Sequence, residues 1–350
     1  MERNTEKLGV YILPGGVKDP RPGPKQARAA EAAGLGTAWL GERFDTKDFT
    51  AILGAASQTT STIKLGVGIT PMNVRHPMVL ASAGQTLQAL TEGRFIYGFG
   101  RSASWRWTGY GLPAPSLTSM ADVAALLRRL WAGETFSYQG PAGDFPNIRL
   151  PQITGMAPPP LYLAAVGPRT LALAGAAFDG AILHPFLTPE AVGRSVATIR
   201  AAAAAAGKDP AAIRVVATVV AAPDMSEEDA GLAINSRGAG YLEVPGLGDM
   251  IVQANGWDPA DLAAYRNDPR LLALGGKTAD KHLSRAELVE LTRVLPSHWI
   301  ASSSASGTGA QCAQTLRGYL SAGADEILIH GATADRIGGL VAAFRGDAPA

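Results

Sequence analysis

The sequence predicts an α/β fold, a (β/α)8 TIM barrel with insertions, and three observations carry that prediction. Short apolar runs and helix-like segments alternate along the chain, the mark of βα units on a parallel sheet. The apolar runs are continuous rather than alternating, as strands buried on both faces require. Eight such runs occur within 350 residues, a length that one barrel with insertions fills. Residues 1–350 are therefore read as a single domain.

In order, residues 8–13 form the first strand, which ends at Pro14-Gly15-Gly16. A proline-rich loop leads to a helix over 24–33, closed by Gly34. A strand at 37–40 delivers Gly41-Glu42-Arg43-Phe44-Asp45 at its carboxyl end, and a helix at 49–59 returns to a strand at 63–69. Next come a helix over 77–91 and a strand at 94–99. The loop after it is rich in aromatic and basic side chains: Arg101, Trp105, Arg106, Trp107 and Tyr110. A helix covers 119–131, and 134–160 reads as an insertion of hairpin type.

The alternation resumes with a strand at 161–166, a helix at 169–177 and a strand at 180–184. Thr188-Pro189-Glu190 opens a helix, with threonine as cap and proline in the first turn, that runs to Gly207. A strand at 213–220 precedes a helical excursion, a second insertion over about 226–300. Its helix starts are marked by Ser226, Asp258 and Ser284. A helix at 310–322, a strand at 326–330 and a last helix close the count.

Composition narrows the function classes. A net charge of +1 supplies no bulk field to hold nucleic acid or an anionic membrane. The opening stretch is too short and too early for a signal peptide, and nothing later reads as spanning a bilayer. The single cysteine, Cys312, gives no disulfide framework; it reads as a buried small residue in a reducing, cytoplasmic setting.

Ligands of parallel α/β folds bind at the carboxyl ends of strands, which selects the candidates. Glycines 68, 98 and 100 suit a close backbone approach to a ligand, or else tight turns. Glu42 suits a hydrogen bond to a ligand N–H or a base role, with a salt bridge to Arg43 as the alternative. His184 and His330 each follow an apolar run and suit general acid or base roles, or packing. Arg75 and His76 read as loop-positioning residues. Val166-Gly167-Pro168-Arg169-Thr170 joins a strand end to a helix start, so free N–H groups there suit a phosphate. Trp105 and Trp107 wall a pocket or pin their loop. The five histidines show no metal-ligand spacing, and neither a nucleophile elbow nor a Walker loop occurs.

These residues resemble a known family. Thr70-Pro71, Arg75-His76-Pro77, Gln85-Thr86-Leu87 and Gly93-Arg94-Phe95 with Gly98-Phe99-Gly100 resemble the luciferase-like flavin and deazaflavin oxidoreductases. The run from Leu163 through Gly167-Pro168-Arg169-Thr170 to Gly175, then Phe178-Asp179-Gly180, is similar to the deazaflavin branch that includes methylenetetrahydromethanopterin reductase. The resemblance implies a flavin-like ring at the barrel mouth, held by Glu42, Arg43, Gly68, Ile69, Thr70, Gly100, Arg101 and the 166–170 helix start. It implies a bulge with a non-prolyl cis bond at Gly68–Ile69 behind the ring, and Glu42 on the pyrimidine edge. Relatives often carry Asp-His where Glu42-Arg43 stands, which leaves His184 or Glu42 as proton donor. The expected cofactor is coenzyme F420, with FMN and a monooxygenase reaction as the alternative and a silent flavin-binding relative as a third reading. A small-molecule substrate and a homodimer complete the expectation.

Overall fold

The computed structural model describes residues 4–15, 18–102 and 104–346, without the side chains of residues 4 and 104–106. Gly16 and the side chains of Trp105 and Arg106, all named above, lie outside the described set.

In chain order the first elements are β1 (Leu8–Tyr11), α1 (Pro22–Ala32), β2 (Thr37–Leu40), α2 (Phe49–Ser57) and β3 (Lys64–Pro71). Then come α3 (Pro77–Leu90), β4 (Phe95–Gly100), α4 (Ser104–Gly109) and α5 (Leu117–Trp131). A hairpin of β5 (Phe136–Gly140) and β6 (Gly143–Ile148) fills the first insertion. It is followed by β7 (Leu161–Ala165), α6 (Pro168–Ala177), β8 (Gly180–Leu183), α7 (Pro189–Ala205) and β9 (Arg214–Pro223). The second insertion is helical: α8 (Glu227–Leu242), α9 (Leu247–Asn255), α10 (Pro259–Arg266), α11 (Pro269–Leu272), α12 (Ala279–His282), α13 (Arg285–Leu291) and α14 (Ser297–Ser302). The chain ends through β10 (Ser304–Gly307), α15 (Gly309–Ser321), β11 (Glu326–His330) and α16 (Gly338–Arg345).

The expected strands β1–β4, β7–β9 and β11 are each followed by helix, which is the chain order of a (β/α)8 barrel. Two elements were not foreseen. β10 is a short run of Ser, Ala and Gly with no strand propensity of its own, and its pairing with β9 makes it a strand. α4 forms in the segment expected to be loop.

The contacts gather the described residues into two compact units. One unit holds Tyr11–Ile182 with Ala197–Arg214. In it β2, β3, β4, β7 and β8 follow one another in a parallel sheet. Its helix starts are set by side chains. The Asp48 carboxylate accepts the Thr50 and Ala51 N–H groups to start α2, and His76 Nδ1 accepts the Met78 N–H ahead of Pro77 to start α3. Side chains of β4 split by parity: Phe95 and Phe99 each meet the Tyr97 ring at a tilt, and Tyr97 also meets Phe49 of α2.

The other unit holds the residues up to Val10, Leu183–Val196 and everything from Val215 on. Its strands run in the order β10, β9, β11, β1, all parallel. The helix caps expected in the excursion form here. Ser226 accepts from the Asp229 N–H, Asp258 from Ala260 N–H, and Ser284 and Glu287 close a capping box. Cys312 is a free, buried thiol in α15, and burial pushes its pKa up to about 11.

Candidate active site

The β3 strand end is the centre of the site in the first unit. Its register against β4 shifts between Val67 and Thr70, and the Gly68–Ile69 peptide is cis, as the resemblance implied. The Gly68 carbonyl accepts a hydrogen bond from the Tyr11 hydroxyl. Ile69 is half-buried while Gly68 and Thr70 are buried.

The glycines near this bulge face neighbouring protein atoms where a side chain would stand. A Cβ on Gly98 would lie 2.2 Å from the Val67 carbonyl oxygen and 2.9 Å from Ile182 Cδ1. A Cβ on Gly100 would lie 2.9 Å from Ile69 Cδ1. At Gly68 the nearest atom is Trp39 Cε3, at 3.0 Å. The β4 glycines thus make room for the bulge and for the Ile69 side chain.

Glu42, next to β2, is the most constrained of the expected residues. Its side chain is 0% exposed. Oε1 accepts from Arg75 Nη2 at 2.6 Å and from the Phe49 N–H at 3.2 Å. Oε2 accepts from the Thr70 hydroxyl at 2.6 Å and from Arg75 Nη1 at 2.9 Å. An ionised carboxylate offers about four acceptor positions, and all four are filled from within the protein. The salt-bridge partner foreseen for Glu42 was Arg43; it is Arg75. Burial disfavours the charged Arg75 guanidinium, and the bonds to Glu42 and Asp48 more than offset it, so its pKa is raised. Arg43 is exposed, with its carbonyl accepting the Thr46 and Lys47 N–H groups.

The 166–170 segment has the geometry expected of it. Gly167 is buried in extended conformation as the N-cap of α6, and no side chain caps the helix. Pro168 supplies no N–H, and Arg169 and the half-buried Thr170 stand at the first turn, Arg169 exposed. The Thr170 and Leu171 N–H groups both donate to the Gly167 carbonyl at 3.0 Å, so the Arg169 N–H and the positive end of the helix are what the first turn offers an anion. Gly100 is buried and Arg101 exposed. Arg101 lies over the Trp107 ring at 5.3 Å, and the Trp107 indole N–H donates to the Arg101 carbonyl at 2.6 Å. Trp107 therefore pins its loop.

His184 belongs to the second unit, at its start after β8. Its ring meets Tyr241 edge-on at 4.8 Å. Nδ1 lies 2.9 Å from the Pro185 carbonyl oxygen, which only accepts, so Nδ1 carries the proton and Nε2 keeps its lone pair. Burial pushes the imidazole down to about 4, against the pull of that carbonyl. A neutral ring of this tautomer can accept a proton at Nε2. Sequence reading also passed over Tyr241, whose spacing carried no signal.

A family profile described as luciferase-like monooxygenase matches residues 6–326. The chain belongs to that family. Among its curated relatives, 5,10-methylenetetrahydromethanopterin reductase of Methanolobus tindarius is 30% identical over 236 residues, 67% of this chain and 71% of the relative. The F420-dependent hydroxymycolic acid dehydrogenase of Mycobacterium tuberculosis is 30% identical over 204 residues, 53% of this chain and 54% of the relative. The solved coenzyme F420-dependent tetrahydromethanopterin reductase of Methanopyrus kandleri matches with a TM-score of 0.78 at 22% identity, over 96% of this chain and 97% of that one. That likeness shows the luciferase-like (β/α)8 fold.

Proposed function

We propose that this chain is a coenzyme F420-dependent oxidoreductase of one barrel domain, moving a hydride between the deazaflavin and a small organic substrate. The observation that carries the reading is the uncapped start of α6 at Gly167, with Arg169 and Thr170 on its first turn. It suits the phosphate of such a cofactor, in the same unit as the bulged end of β3. The names of the relatives, a methanopterin reductase and F420-dependent dehydrogenases, favour the deazaflavin over FMN.

The residues present fit the group. Gly167, Arg169 and Thr170 would hold the phosphate, and the half-buried Ile69 would back the ring. Arg101 and Arg43, both exposed, would meet the acidic parts of the cofactor. When bound, the deazaflavin supplies two-electron hydride chemistry without oxygen activation. The protein's part is position and proton handling. His184, neutral and protonated at Nδ1, would act as a base that accepts a proton at Nε2.

We further propose a homodimer in the cytoplasm. Neither α2 nor α3 contains a charged side chain, and Val79 and Leu90 of α3 are 52% and 44% exposed. Sedimentation of the purified chain checks the dimer. No helix among the described residues is long and apolar enough to cross a membrane, and the free thiol of Cys312 suits a reducing compartment.

The activity is tested by anaerobic turnover with oxidised F420 and a panel of alcohols. Loss of the deazaflavin absorbance without oxygen is the expected result. Turnover that requires FMN and consumes oxygen would contradict it.

A further inference from the structure

We propose that Glu42 and Arg75 are positioning residues, forming a clamp that fixes Ile69 and Thr70 at the end of β3, and that Glu42 neither touches the ring nor moves a proton. The assignment rests on the deazaflavin reading above and departs from the ring-edge role implied for Glu42.

Three observations support it. Both Glu42 oxygens are saturated by Arg75, Thr70 and the Phe49 N–H, so a ring N–H would have to displace a protein donor. The side chain is shut off from solvent, which gives a transferred proton no exit. The bonds also reach three separate segments. The Glu42 N–H donates to the Ile69 carbonyl at 3.1 Å. Arg75 Nη1 donates to the Thr70 hydroxyl at 3.2 Å, and Nη2 to Asp48 Oδ2 at 2.7 Å. Asp48 is the cap of α2. One guanidinium therefore ties the end of β2, the bulged end of β3 and the start of α2. A planar fork makes these bonds at fixed angles, which a lysine ammonium does not reproduce. Ile69 is held through its carbonyl by the main-chain N–H of Glu42, whose side chain the clamp fixes, and its side chain fills the space at Gly100.

The test compares Arg75→Gln, Arg75→Lys, Glu42→Gln and the Glu42→Gln/Arg75→Gln double variant. Each single Gln variant is expected to weaken F420 binding about tenfold and to shift the spectrum of the bound cofactor in the same way. The double variant is expected to be no worse than either, because the two residues act as one unit. Arg75→Lys should recover part of the loss. The pH profile of kcat/KM should keep its shape in Glu42→Gln. Wild-type binding in Arg75→Gln alongside a loss in Glu42→Gln, or a pH limb that disappears in Glu42→Gln, would overturn the clamp.

A second readout needs no cofactor. Amide hydrogen exchange at Glu42 and Phe49 should speed at least tenfold in Arg75→Gln relative to amides of β9. Unchanged exchange overturns the clamp. Faster exchange in a protein that binds no F420 would leave the clamp standing and remove only the deazaflavin reading. If Arg75→Gln does not fold, Thr70→Val keeps the ion pair and removes one donor; about threefold weaker F420 binding is expected, and wild-type binding overturns the proposal.

Discussion

His184 shows how far one side chain's surroundings decide its chemistry. An exposed imidazole titrates near 6.5, whereas this ring is pushed down to about 4. Between those values the unfolded chain binds a proton that the folded chain does not. Stability contributed at neutral pH is therefore lost as the pH falls through this window. The loss between pH 7 and pH 5 is expected to be about 2 kcal/mol. His184→Gln should lack that component, so its Tm should fall less than the wild type's over the same interval; equal falls would count against the assignment. The same variant should lower kcat well below its effect on KM if Nε2 handles the proton. The position of His184 after an apolar strand was legible in the sequence. Its tautomer was not, because that depends on the Pro185 carbonyl and the Tyr241 ring.

At the scale of elements, the β3 bulge and the β4 glycines form one device. Gly98→Ala would press a methyl group against the Val67 carbonyl oxygen at 2.2 Å. The expected cost is about 1–3 kcal/mol, read as a lower Tm, together with weaker cofactor binding because Ile69 and Thr70 shift. Wild-type Tm and affinity in Gly98→Ala would show that the bulge is not set by β4. Much of this level could be read from the sequence, since continuous apolar runs, caps such as Asp258 and Ser284, and Pro77 at a helix start are local signals. What the glycines face could not be read, because Val67 and Ile182 reach Gly98 only through strand pairing. The Glu42–Arg75 pair escaped for the same reason: the two residues are separated by a helix and a strand, and adjacent Arg43 offered a nearer partner. β10 escaped because Ser304-Ala305-Ser306-Gly307 has no strand character until β9 is beside it.

For the whole molecule, the order of eight βα units was visible in the alternation alone, and the match over residues 6–326 places it in its family. Family membership spans both oxygen-using and hydride-transferring chemistry, so the cofactor is the claim on which the account turns. The most direct measurement is a titration of the purified protein with F420 and, separately, with FMN, followed by the change in cofactor spectrum. The account predicts saturable binding of F420 at least a hundredfold tighter than that of FMN, weakened by Gly167→Asp at the start of α6. Tighter binding of FMN would contradict it, and so would binding of neither cofactor.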